Sequence, residues 1–320
     1  MIIIKNIPVR VSSLHQTREL YPFGYKQSSV DKYAKKHFAV QQKMSNFADM
    51  KKLLIITLPL FLLLLSACRK SNATQEVSTF YKESNTTETT RTKVTQYEMP
   101  APLKDRPEQI LKRTGYTTSY NSETKNPNWV AWHLTKGHTY GKNQRSEEVF
   151  TEDSDVSPRA TDNDYYSSRY DRGHMCPAGD NKWDATAMTE SFLFTNICPQ
   201  NHNLNKYEWN DLEMQCREWA RKYGAIDIVC GPVYDTSSPT RTIGRGHVWV
   251  PDAFFKVVML RSGQPKAIGF LFRNDGKKVS LESVVRSVDE IERLTGIDFY
   301  PALDDKVEDR IEAEANLKDW

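Results

Sequence analysis

The chain has 320 residues, with 44 Lys and Arg against 41 Asp and Glu for a formal charge of +3. Residues 1–67 hold ten of those basic residues and three of the acidic ones, so the remainder carries about −4. Bulk charge therefore gives no support for a polyanionic partner, and any basic groove must be local.

Residues 1–49 show no periodicity and read as an over-extended N-terminus, with Met50 as the working start. Lys51-Lys52, an apolar run over 53–65 and Leu65-Ser66-Ala67-Cys68 predict a bacterial lipoprotein signal peptide over 50–67. The run is too short to span a bilayer comfortably. Cys68 would then carry the lipid, and several acyl chains give stable anchoring. This places the protein in the bacterial cell envelope, facing the periplasm or at the cell surface. Residues 68–100 are rich in Ser, Thr, Asn and Glu and read as a flexible tether. Residues 101–320 are long enough for one α/β domain of ordinary size.

Within that domain, 129–134 alternates as a strand, and 135–168 is polar and loop-like, suited to one wall of a cleft. A strand is predicted over 170–175, a short helix over 186–190 and a second strand over 192–197, followed by a loop to 203. Residues 204–223 form an amphipathic pattern with Leu204, Trp209, Leu212, Cys216 and Trp219 toward the core, closed by Gly224. Strands follow at 226–230, 248–250, 254–260 and 267–272, then a helix over 281–295 closed by Gly296. There is no repeating βαβ unit, so the fold class is α+β around an antiparallel sheet. Besides Cys68, four cysteines remain, which allow three pairings. Export favours disulfides, and the placement of the cysteines favours Cys176–Cys198 and Cys216–Cys230. No CxxC or HxxxH spacing supports zinc.

The chemistry concentrates in three fragments. Asp171-Arg172-Gly173-His174-Met175 is followed by Asn196-Ile197-Cys198-Pro199-Gln200, then by Leu204-Asn205 through Trp209 to Leu212-Glu213. A histidine, an amide and a carboxylate within about forty residues suit phosphodiester cleavage with one metal ion. The order and spacing of these fragments resemble the DNA/RNA non-specific endonucleases, whose pattern is a DRGH strand, an N-x-x-P-Q strand and an L-N-x-x-x-W…L-E helix. The resemblance runs over residues 105–304 and is most specific in this core.

It implies a ββα-metal (His-Me finger) nuclease fold, and a metal-dependent endonuclease acting on DNA and RNA without sequence specificity and leaving 5′-phosphate ends. His174 is the expected general base, since an imidazole titrates near ~6.5 and accepts a proton at neutral pH. Asn205 is the expected sole direct protein ligand of Mg²⁺, with waters completing the shell and Mn²⁺ as a substitute; its other reading is a helix N-cap, and both roles could apply. Glu213, two turns further along the helix, could reach a metal-bound water. Arg172 shares the strand face of His174 and would hold the scissile phosphate through its fork of donors, or else pair with Asp171. Asn196 is expected to orient a catalytic side chain or a water, and Arg145 to be a further phosphate-binding arginine. Arg159, Arg169, Lys182 and Lys206 are candidates for the local basic groove. Asp171 reads as a structural partner, and His133, His138, His202 and His247 stand without comparable company, although His202 lies between two of the fragments and could touch substrate. Tyr165, Tyr166 and Tyr170 could be core or could stack on bases. Two rival readings are a non-catalytic nucleic-acid-binding lipoprotein of the same fold and a phosphodiesterase for smaller diesters. The intact His174, Asn205 and Glu213 set argues against the first.

Overall fold

Residues 96–236, 238–239 and 241–320 are described by a computed structural model of the chain. The expected signal peptide, Cys68 and most of the tether lie outside them. The described strands are β1 (Gln109–Lys112), β2 (Thr117–Asn121), β3 (Asn126–Thr135), β4 (Asp171–His174), β5 (Ile197–Gln200), β6 (Ala225–Val233), β7 (Thr242–Ile243), β8 (Val248–Trp249), β9 (Ala253–Leu260), β10 (Lys266–Arg273) and β11 (Val285–Arg286). The helices are α1 (Asp162–Tyr165), α2 (Ala185–Glu190), α3 (His202–Lys206), α4 (Glu208–Tyr223), α5 (Val288–Thr295) and α6 (Asp305–Ala313). A seven-stranded sheet runs in the order β1-β2-β3-β6-β9-β10-β11, antiparallel at each pairing. This is the expected α+β architecture.

Successive side chains on a strand point to opposite faces, and here both faces are covered. On one face Val130, Trp132, Ile228, Cys230, Phe254 and Val258 pack with Leu212, Cys216 and Trp219 of α4. On the other, Trp129, Ala131, Val229, Phe255 and Val257 pack with Val288 and Ile291 of α5 and Ile311 of α6. Double coverage explains why β6 and β9 are buried along nearly their whole length rather than alternating. Lys256 shares the α4-facing side with Phe254 and Val258 and is fully buried. Its Nζ lies 4.4 Å from the Trp209 ring centroid and 5.4 Å from that of Trp132. A desolvated cation over an aromatic face gains roughly 2 kcal/mol or more, which offsets part of the cost of burying the charge.

Several boundaries differ from expectation, each for a local reason. The second strand of the motif is Ile197–Gln200, not 192–197, because the chain first makes a 3-10 turn at Phe194–Asn196. The apolar run before it is consumed by ring contacts: Phe192 meets Phe150 and Phe194 meets Tyr165. The expected helix over 204–223 is two helices, α3 and α4, broken at Tyr207 with φ −115° and ψ −88°. Its five predicted core residues are buried as expected, and Gly224 ends α4 at φ +93°. The expected helix over 281–295 begins only at Val288, where Ser287 and Glu290 form a capping box, while Val285–Arg286 joins the sheet edge beside Gly269 and Phe270. The β1–β2 hairpin and α6 were not expected.

The four cysteines of the domain are free, buried thiols, so neither expected disulfide is formed. The register gives the reason for the first pair: Cys198 sits opposite Gly173, three residues away from Cys176. For the second, Cys230 Sγ donates to the Met175 carbonyl at 3.3 Å. Among the described residues no helix is long and apolar enough to cross a membrane.

Candidate active site

β4 and β5 form a separate two-stranded ribbon, in the register Asp171↔Gln200 to His174↔Ile197, and the chain then turns directly into α3 and α4. Gly173 is required by close approach: a Cβ there would stand 2.3 Å from Oε1 and 2.6 Å from Cβ of Gln200. The glycine of the first fragment and the glutamine of the second are therefore one packing unit. The α3 end of this unit is pinned by Asn274, buried on β10's outgoing turn. Its Oδ1 accepts from Asn201 N at 2.7 Å and its Nδ2 donates to the Pro199 carbonyl at 3.1 Å.

A cavity of about 530 Å³ opens between the ribbon, α3 and α4. His174, Asn205, Glu213 and Arg145 line it together with Asp171, Lys182, His202, Lys206 and Arg217. The structure thus brings four of the sequence-predicted site residues into one space.

His174 is 5% exposed, and its Nε2 has no hydrogen-bond partner. The ring is wedged against Phe192 at 4.8 Å and Phe150 at 5.4 Å between centroids. Burial, aided by the Arg145 charge, pulls the imidazole down to about 3. Asn205 is not an N-cap; Asn201 and Tyr207 hold those positions on α3 and α4. Its Nδ2 donates to Asp171 Oδ2 at 2.9 Å. A carboxylate only accepts, so this contact fixes the amide orientation and leaves Oδ1 for another partner. Glu213 is half-buried; burial raises its carboxyl to about 7, against the pull of Lys256 and Arg217. One turn on, Arg217 pairs with buried Asp180 at 2.9 Å, joining α4 to the turn after β4. Gly179 leaves room for that guanidinium, which would lie 2.8 Å from any Cβ there.

Two predicted residues do not line the cavity. Arg172 is on the same side as His174, near Phe150, but its guanidinium is engaged by Asp162 at 2.6 Å and lies over the Phe150 and Tyr165 rings. Its partner is therefore Asp162, not Asp171. Asn196 is fully buried; its Oδ1 accepts from Cys176 N and its Nδ2 donates to the carbonyls of Cys176 and Ser191. It clamps the backbone just beyond His174 and does not line the cavity. Of the basic candidates, Lys182 and Lys206 line the cavity, whereas Arg159 pairs with Glu152.

Asp171 is a structural partner as the sequence suggested, but of Asn205 and His202 and not of Arg172. The Asp171 carboxylate receives Asn205 at 2.9 Å and lies 3.0 Å from His202 Nδ1. Strand alternation groups Arg172 with His174 and passes over Asp171, yet α3 folds back across the start of β4 and encloses it. The usable signal was the short span between the second fragment and Asn205, which forces α3 to begin beside β4.

The model of the DNA/RNA non-specific endonuclease family matches residues 91–306. The chain belongs to that family. The fold agrees: the crystal structure of the EndoG/EndoGI complex superposes with a TM-score of 0.60 and 26% identity, covering 66% of this chain and 91% of that one. The β4–β5 ribbon with α3 and α4 is the ββα unit of this nuclease fold. Human mitochondrial nuclease EXOG is 34% identical over 210 residues, 60% of this chain and 56% of that protein. Human mitochondrial endonuclease G is 33% identical over 207 residues, 60% of this chain and 70% of that protein. Nuclease C1 of Cunninghamella echinulata var. echinulata is 32% identical over 211 residues, 61% of this chain and 84% of that protein. This family member thus spans little more than half the length of the EXOG relative.

Proposed function

We propose that the protein is a Mg²⁺-dependent endonuclease that hydrolyses phosphodiester bonds in DNA and RNA without reading sequence. The observation that carries this reading is the single cavity holding His174, Asn205 and Glu213 among basic side chains. A hard cation fits the chemistry of the cavity, because Asn205 keeps Oδ1 available and the Asp171 and Glu213 carboxylates line the same space, where they could hold the cation's waters. When bound, the cation would neutralise charge on the phosphate and ease departure of the 3′ oxygen.

The chain's own residues do the rest. His174, enclosed and neutral at physiological pH, takes the proton of the attacking water. Arg145, Lys182 and Lys206 draw the polyanion into the cavity, since they place positive charge there although the chain beyond residue 67 is net negative. Asp171 holds the Asn205 amide in place through Nδ2. Arg172 stiffens the Phe150 wall behind His174, and it reaches a phosphate only by leaving Asp162. Charged side chains of this kind engage phosphates, which carry no sequence information, so the cavity selects for the backbone and not for base order.

Incubation of the protein with plasmid and with RNA, with and without Mg²⁺, tests the reading. Both substrates should be degraded, and EDTA should abolish the activity. Cleavage that persists in excess chelator would remove the cation from the account. We further propose that Cys68 is lipidated and tethers the enzyme in a bacterial envelope, on the strength of the residue pattern over 51–68. Fatty-acid labelling should be lost in Cys68→Ser; equal labelling of both proteins would refute the anchor.

A further inference from the structure

A second cavity, of about 420 Å³, lies on the other side of the segments that wall the first. Tyr170 and Asn201 line it, while Asp171 and His202, the next residues in sequence, line the catalytic cavity. Successive Cα atoms are about 3.8 Å apart. The two cavities therefore share a wall.

The second cavity is lined by three arginines, with different commitments. Arg273 is held by Asp235 through two hydrogen bonds of 2.9 and 3.0 Å. Arg241 donates to the Tyr170 hydroxyl at 2.7 Å and lies over that ring, 5.8 Å from its centroid. This contact steadies the guanidinium without neutralising it. Arg169 is exposed and stands at φ +66°, two residues after Ser167 at φ +64°. Left-handed backbone is unfavourable for residues with a Cβ, and here it marks a tight turn immediately before the catalytic strand. The two acids of the cavity are engaged: Asp252 Oδ2 accepts from Asp235 N at 3.1 Å, and Asp275 pairs with Lys277 at 3.2 Å. On the same turn the Tyr166 ring is 78% exposed, whereas Tyr165 is buried at 2%.

We propose that this cavity is a nucleic-acid subsite, in which Arg169 and Arg241 hold a phosphate beside the scissile one, and that Tyr166, on the turn leading into it, offers its exposed face to a base. The inference rests on the nuclease reading of the first cavity. Guanidinium forks suit phosphate oxygens, and an aromatic face stacks any base. The subsite therefore adds affinity for a longer strand without adding sequence preference.

The test compares the wild type with the Arg169→Ala/Arg241→Ala double variant in the full-length protein. The substrates are a single-stranded 20-mer and a dinucleotide with one diester, which is too short to reach the subsite. Binding of the 20-mer is also measured without Mg²⁺ over a range of salt concentrations. In the variant, KM for the 20-mer should rise about tenfold with kcat held, and dinucleotide cleavage should be unchanged. The salt slope of binding should fall by about 0.7 for each phosphate that the variant no longer neutralises. An unchanged KM and salt slope would overturn the subsite. So would equal losses on both substrates, which would place these arginines in the cleavage step. Failure of the wild type to cleave either substrate, with the expected difference in salt slope intact, would sink the nuclease reading and leave the subsite standing.

Discussion

Burial and the Arg145 charge keep the His174 imidazole near 3, so the ring is neutral throughout the physiological range. A general base needs that form; the same burial weakens its basicity, and a base of this kind contributes at most ~10²–10⁴-fold to a rate. His174→Ala should therefore lose turnover by about that factor while DNA affinity stays close to wild type; near-normal turnover would remove the assignment of the whole cavity. Asn205→Ala should instead raise the Mg²⁺ concentration needed for half-maximal rate. The acid limb of activity belongs to another group. Glu213 is raised to about 7 by burial, so it is ionised above that pH and takes up a proton below it. The carboxylate's contribution to holding a cation is present above pH 7 and fades as pH falls. The Mg²⁺ requirement should rise between pH 8 and pH 6, and Glu213→Gln should flatten that dependence. A wild-type requirement independent of pH over this window would show that Glu213 does not act on the cation.

At the scale of elements, the core strands and the buried face of α4 were legible, because apolar spacing reports burial directly. The site was legible as a set of residue types, and His174, Asn205, Glu213 and Arg145 do converge. What pattern could not supply was the kink at Tyr207, which sets how α3 lies across β4, or the Arg172–Asp162 pair, which depends on a turn ten residues upstream. The start of α5 was in the sequence all along, as Ser287 and Glu290 at capping-box spacing. The joint between α5 and α6 was not visible, because it gathers acids from distant positions. Carboxylate oxygens of Asp289, Glu292 and Glu312 lie within 4.8 Å of one another. Burial, then the charges of Glu292 and Glu308, raise Glu312 to about 9. An unfolded glutamate releases its proton near ~4.3. The folded protein thus keeps a proton that the unfolded chain has lost, and it is stabilised fully below that pH, with the benefit gone once pH passes about 9. The melting temperature should fall between pH 5 and pH 9, and Glu312→Gln should melt higher than wild type at pH 9. Parallel pH profiles for the two proteins would refute the shift.

At the scale of the whole molecule, the described residues hold together without cross-links, although export would favour them. Both faces of the sheet are covered by helices, and the four thiols sit inside that packing: Cys176, Cys198 and Cys230 are 0% exposed and Cys216 is 1% exposed. Burial raises Cys216 and Cys230 to about 12, so neither forms a thiolate at neutral pH. An unionised, enclosed thiol neither exchanges with a disulfide nor reacts with an alkylating reagent at an appreciable rate. Reducing agent should therefore leave the melting temperature unchanged, and iodoacetamide should label the four thiols only after unfolding. The contrast is measurable. A native disulfide contributes about 2–4 kcal/mol, and each kcal/mol moves the melting temperature of a domain this size by roughly 2–4 °C. Two disulfides would thus cost on the order of 10 °C or more on reduction. A drop of that size, or protection of the unfolded chain from alkylation until it is reduced, would show that the cysteines are paired in the isolated protein.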